Sequence, residues 1–153
     1  MLVNITNTSA VDISATLNRI IAKLQVHSSD GRTANANSVR MTFAAGGKSF
    51  NPTTGLATVN TGFAITAPIS TAVGAVTNSG TYVYLETDEQ TMDVTIETLD
   101  SEGNAIFSKT VQNVPFKRNR RTVLTGAMYT NDAVSASSFQ LNTDWLTDYP
   151  VNF

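Results

Sequence analysis

Residues 91–97, Thr-Met-Asp-Val-Thr-Ile-Glu, constrain this chain more than any other stretch. Met92, Val94 and Ile96 fall on one face, while Thr91, Asp93, Thr95 and Glu97 fall on the other. A period of two is the mark of a strand with one face in a core, and Val, Ile and Thr suit a pleated surface. Asp100-Ser101-Glu102-Gly103-Asn104 follows, with Gly103 as the left-handed residue that a hairpin loop needs. A second strand is expected over residues 105–111, with Ile106 and Phe107 to bury. Pro115 cannot donate to a ladder, so Asn113-Val114-Pro115 is expected to end that pairing. Residues 122–129 read as a third strand. On this reading, three antiparallel strands with short connections form a meander against which the rest packs.

Residues 10–27 support two readings. Ile13, Leu17, Ile20, Ile21 and Leu24 recur at helical spacing, yet Val11, Ile13, Ala15 and Leu17 alternate. Ile20, Ala22, Leu24 and Val26 alternate again on the opposite parity, as a bulge or kink near Asn18-Arg19 between two strands would produce. No helix start signal sits well here, so strand is the reading adopted. Ser28-Ser29-Asp30-Gly31 is a turn and the polar run to Asn37 a loop. Val39, Met41 and Phe43 mark a strand; residues 44–61 are broken by Gly46-Gly47, Asn51-Pro52 and Gly55. A short strand is expected at residues 63–66, irregular coil over 67–80, and a strand at Tyr82-Val83-Tyr84-Leu85. Asn131-Asp132 breaks the chain, Phe139 and Leu141 indicate a last strand, and residues 144–153 form an aromatic-rich tail. About seven or eight short strands, turns between them and no convincing helix specify an all-β antiparallel sandwich. Its Greek-key class would be transthyretin-like or immunoglobulin-like. No fixed-period repeat or internal boundary is visible, so residues 1–153 are read as a single domain.

Bulk properties narrow the function. A chain of 153 residues can bury a core without staples. Charged residues are 14% and the formal net charge is -2, which argues against nucleic acid or an anionic membrane as the main partner. There are no cysteines, so neither disulfides nor a thiolate metal site can form. No apolar run approaches the length of a membrane-spanning helix, and the start MLVNITNTSAVDIS lacks the pattern of a signal peptide.

The chemistry-bearing residues have bland readings beside sharp ones. Lys117, Arg118, Arg120 and Arg121 are read as a solvated strand start whose charges pair with Asp or Glu. A nucleic-acid groove would want interleaved aromatics, and only Phe116 is near. Asp100, Glu102 and Asn104 are spaced like the first ligands of a calcium loop, but the distal carboxylate is missing and a hairpin turn explains them better. His27 is the single histidine and reads as a strand-end residue; no metal site is expected. Gly46-Gly47-Lys48 lacks the spacing of a phosphate loop, and no G-x-S-x-G elbow exists. Nothing marks a carboxylate pair for glycoside hydrolysis. No catalytic residue and no cofactor is assigned, and the chain is not read as an enzyme. Trp145, Tyr149 and Phe153 recur every four residues; a segment capping the sandwich is favoured over a sugar platform.

The hairpin MDVTIETLDSEGNAIFSKTV followed by NVPFKRNRRTVLTGAMYT resembles the C-terminal half of fimbrillin-like surface proteins of Bacteroidales. The matching residues are Val114, Pro115, Arg118, Asn119 and Thr122, then Gly126 and Thr130, with Leu17, Arg19, Ala22 and Lys23 matching a second, earlier motif. Ile20 stands where the family often has Pro. The resemblance implies a structural subunit domain of a fimbrium or pilus, acting in assembly and cell adhesion at the cell surface and outer membrane. It also implies that this chain corresponds to the second domain of a longer protein. Its partners would be like or related subunits, joined by strand addition, with a host or bacterial surface ligand beyond them and no membrane insertion by this domain. The best donor candidates are Phe139, Leu141, Trp145, Tyr149 and Phe153. The competing function is a non-catalytic surface module for glycans, using the Tyr82/Tyr84 strand or the tail aromatics.

Overall fold

A computed structural model describes residues 19–130 and 140–142. Seven strands form two packed sheets: β1 (Ile21–Ser28), β2 (Ser38–Phe43), β3 (Phe63–Pro68), β4 (Asn78–Tyr84), β5 (Glu89–Leu99), β6 (Ala105–Lys117) and β7 (Arg121–Gly126). The first sheet has the order β4-β1-β7, and a three-residue strand β8 (Gln140–Asn142) lies beside β7. The second has the order β3-β2-β5-β6. The all-β sandwich is therefore as the sequence predicts.

Alternation builds the core. Leu24 and Val26 of β1, Val83 of β4 and Leu124 of β7 face Val39, Met41 and Phe43 of β2 and Val94 and Ile96 of β5, and all are buried. Each such side chain contributes about 1.5–3 kcal/mol by leaving water. Phe43 stacks on Phe63 at 4.7 Å between ring centroids and tilts against Phe116 at 6.1 Å, which ties β2, β3 and β6 together.

Three local expectations are corrected. Pro115 does not end β6, which continues to Lys117 with Pro115 opposite Thr91. The reason lies in the sheet order, because β6 is an edge strand. The carbonyls of Asp93 and Leu99 accept amides from Ala44 and Asn37 on the β2 side, so the odd-numbered residues of β5 turn their backbone groups away from β6. Pro115 opposite Thr91 owes no amide to β5, and its carbonyl accepts the Thr122 hydroxyl at 2.6 Å.

The meander is the second correction. The turn through Asn119, at φ 59°, carries the chain into the other sheet, where β7 pairs in parallel with β1 (Lys23 opposite Arg121, Leu24 opposite Thr122). Every other strand pairing is antiparallel. Period two says which residues face inward, but not which of two sheets a strand joins. The third correction concerns residues 67–80, read as coil: β3 runs on to Pro68 and β4 begins at Asn78. Small residues there carry no alternating apolar signal.

The loop of residues 44–62 closes one side of the sandwich. Gly47 and Tyr84 exchange two backbone hydrogen bonds of 3.1 Å, so the loop pairs with the free edge of β4 at that strand's end. Phe50 in the same loop stacks on Tyr84 at 4.8 Å.

Candidate functional site

The first candidate region is the outer edge of β7. Its inner edge pairs with β1, and its outer edge receives β8 antiparallel, with Val123 opposite Asn142, Leu124 opposite Leu141 and Thr125 opposite Gln140. Of the five predicted assembly residues, Leu141 is placed here by its backbone. Phe139, Trp145, Tyr149 and Phe153 lie outside the described residues.

The chain leaving β7 is pinned by Asp30. One carboxylate oxygen accepts the Met128 amide at 2.8 Å; the other accepts the amides of Tyr129 and Thr130, each at 2.9 Å, and the Thr130 hydroxyl at 3.0 Å. Charge-assisted bonds to backbone amides are about twice as strong as neutral ones. Tyr129 is buried and its hydroxyl shares a 2.5 Å hydrogen bond with Thr77, whose amide donates in turn to the Ser28 hydroxyl at 2.7 Å. Burial raises the Tyr129 pKa above its ordinary 10.0, an effect that the Thr77 hydrogen bond opposes. Thr98 donates to the Met128 carbonyl at 2.8 Å, so both sheets hold this segment. The sequence shows Asp30 only as a turn residue, because its partners lie 98–100 residues away and leave no local signal.

The second candidate region is the outer face of the same sheet. Cross-strand register sets three side-chain rows: Tyr82, Lys23 and Arg121; Gly80, Gln25 and Val123; Asn78, His27 and Thr125. Tyr82 is 56% exposed, and the Lys23 ammonium sits 5.8 Å from its ring centroid. Gln25 donates to Asn78 at 2.6 Å and accepts from Arg121 at 3.0 Å, so its amide is fixed in the middle of the face. His27 ends β1's outer row, and its Nε2 has no hydrogen-bond partner among the described residues. The sequence flags Tyr82 and Tyr84 but not the row beside them, because the β1–β7 register is not local.

The remaining candidates resolve structurally. Lys117 pairs with Glu89, and Arg118 with Asp88 at 2.8 Å, as the bland reading expects of these two, whereas Arg121 donates to the Gln25 side chain instead. Asp100 Oδ1 accepts the amides of Glu102 and Asn104 at 2.9 and 2.8 Å, with Gly103 at φ 87°, so these residues build a hairpin turn. The Asn104 amide leads the donors that hold the Asp100 pKa down. Glu97 lies opposite Arg40 and bonds it at 2.6 Å, and that hydrogen bond lowers the Glu97 pKa. Lys48 lies 5.7 Å from the Phe63 ring centroid rather than in a phosphate cradle. Among the described residues, no helix is long and apolar enough to cross a membrane.

Fold and edge together define a two-sheet β-domain with a mixed sheet that takes a further strand at β7. The chain belongs to a family of unknown function, DUF6562, whose model matches residues 1–149. No curated protein matches it. Among solved structures it is similar to a Bacteroides ovatus protein described as a "putative cell adhesion protein", with 15% identity and a TM-score of 0.49. The match covers 84% of this chain and 46% of that one, so the chain spans less than half of that protein's length.

Proposed function

We propose that this domain is a structural subunit domain of a bacterial cell-surface fimbrium, acting by assembly and adhesion rather than by catalysis. The observation that carries the reading is the outer edge of β7, which takes an added antiparallel strand from a segment beyond Thr130. Strand addition of this kind draws affinity from main-chain hydrogen bonds and register from alternating side chains. A segment that can pair with its own β7 has the pairing pattern needed to serve a neighbour's.

The fimbrillin-like motif supports the reading, because its residues make the β6–β7 crossover. Pro115 gives its carbonyl to Thr122, Arg118 pairs with Asp88, and Asn119 adopts the left-handed turn while its amide donates to Ile21 at 2.9 Å. In this proposal the partners are like or related subunits, the setting is the outer surface of the cell, and the chain is one domain of a longer protein. Phe139, Leu141, Trp145, Tyr149 and Phe153 form the donor.

Deleting residues 144–153 from the full chain tests this. The expected product is a folded monomer with near-normal melting that no longer forms polymers in size-exclusion chromatography or electron micrographs. A truncated protein that unfolds or aggregates makes the tail part of the core and removes it as a donor.

A further inference from the structure

The rows on the outer face of the β4-β1-β7 sheet carry a feature that folding alone does not explain. Lys23 and Arg121 are direct cross-strand neighbours in the β1–β7 register. Like charges so placed repel and weaken a sheet. Two other cross-strand cations of this chain do face carboxylates, Arg40 opposite Glu97 and Lys117 opposite Glu89. Neither Lys23 nor Arg121 has a carboxylate partner among the described residues. None of the outward positions of β1, β4 and β7 is acidic: they hold Ile21, Lys23, Gln25 and His27, then Asn78, Gly80, Tyr82 and Tyr84, then Arg121, Val123 and Thr125. The whole chain has a net charge of -2, so this is a local concentration of positive charge rather than a share of a basic surface.

An aromatic ring completes the row. Tyr82 stands beside Lys23 with more than half of its surface open, and the next outward position along β4 is Gly80, an exposed floor position with no side chain of its own, where the Lys23 stem reaches to 3.5 Å from the site of a Cβ. The Gln25 amide, held between Asn78 and Arg121, borders that floor with fixed polar atoms. An amphipathic ring, a low floor along the Lys23 stem and a preset amide suit a ligand with one apolar face and many hydroxyls. Two unmatched cations add the demand for negative charge. Tyr82 and Arg121 are two strand spacings apart, roughly 10 Å, enough for a pyranose ring with an acidic substituent.

We propose that this face binds an acidic saccharide, its ring on Tyr82 and its carboxylate or sulfate between Lys23 and Arg121. The bound anion relieves the repulsion that the free protein carries, and the guanidinium offers it a planar, two-pronged contact. The site does not rest on strand addition, since these side chains stand perpendicular to the edge of β7 that pairs with β8.

Titration calorimetry on the full chain, at low and at physiological salt, provides the test. The probes are an oligogalacturonate, a sulfated chondroitin oligosaccharide, neutral dextran and a single-stranded oligonucleotide. Binding of one or both acidic saccharides but not of dextran is expected, and the one that binds identifies the anionic group. Tyr82→Ala should weaken it about tenfold, the scale of one lost aromatic contact. Lys23→Gln and Arg121→Gln should each weaken it several-fold while leaving the melting temperature unchanged or higher. That last readout separates a ligand role from a structural one, because a structural cation would be missed on melting. No binding of either acidic saccharide, or binding indifferent to all three substitutions, overturns the proposal. So does an oligonucleotide that binds as tightly with Tyr82→Ala as without it, which would make the face a general polyanion surface.

Discussion

Gly103 and Gly62 both lie at positive φ, 87° and 66°, but they tolerate a side chain differently. A Cβ on Gly103 would meet nothing within 4 Å, so the cost of Gly103→Ala is backbone strain alone, on the order of 1–2 kcal/mol. A Cβ on Gly62 would lie 2.3 Å from the Phe43 carbonyl oxygen and 3.0 Å from that of Ala44, so backbone must move as well. Gly62→Ala should therefore destabilise by clearly more than Gly103→Ala in matched urea titrations. Equal losses would mean that the loop of residues 44–62 yields at no cost and does not hold β2 to β3. The sequence makes Gly103 legible, since a polar five-residue loop sits between two alternating runs. Gly62 gives no such signal, because the backbone it avoids comes from a strand nearly twenty residues earlier, reached only through the fold.

At the scale of elements, β5 and β2 are readable because their inward sets are large and apolar and their outward sets polar. Residues 10–18, where the sequence allows helix or strand, lie outside the described residues; the half that is described is the strand β1. The length of β6 is misread because a proline signals a strand end only when its missing amide belongs to a ladder, and edge position is not a local property. A bulge lets β6 run on. Between the pairs Met92–Val114 and Val94–Val111, one residue of β5, Asp93, stands against two of β6, Gln112 and Asn113, with Asn113 at φ 53° and its amide on the Asp93 carboxylate at 2.9 Å. Asn113→Gly should be nearly neutral, since glycine accepts that conformation and keeps the amide. Asn113→Val should cost on the order of 1–2 kcal/mol, since a β-branched residue fits it poorly. Similar unfolding midpoints for the two variants would show that the bulge can flatten and the register slip.

At the scale of the whole molecule, the two sheets are closed at one end by contacts between residues far apart in sequence. Asp30 takes up the amides of Met128, Tyr129 and Thr130, Thr98 holds Met128 from the opposite sheet, and Tyr129 reaches Thr77. This closure fixes where the chain departs after β7, and so the direction from which any segment beyond it reaches β7's outer edge. Its polar groups are satisfied only together, so it should respond to pH through Tyr129. Burial raises the folded-state pKa of that phenol above 10.0 by disfavouring the charged form. A raised folded pKa means stability that is complete below the unfolded pKa and lost as pH rises through the folded one. Tyr129→Phe removes both this dependence and the bond to Thr77, at a cost near neutral pH of about 1 kcal/mol. Melting of the two proteins across neutral to alkaline pH should show a gap in favour of tyrosine that narrows as pH passes about 10. Parallel curves over that range would show the phenol titrating alike in both states, and the closed end would then be open to water.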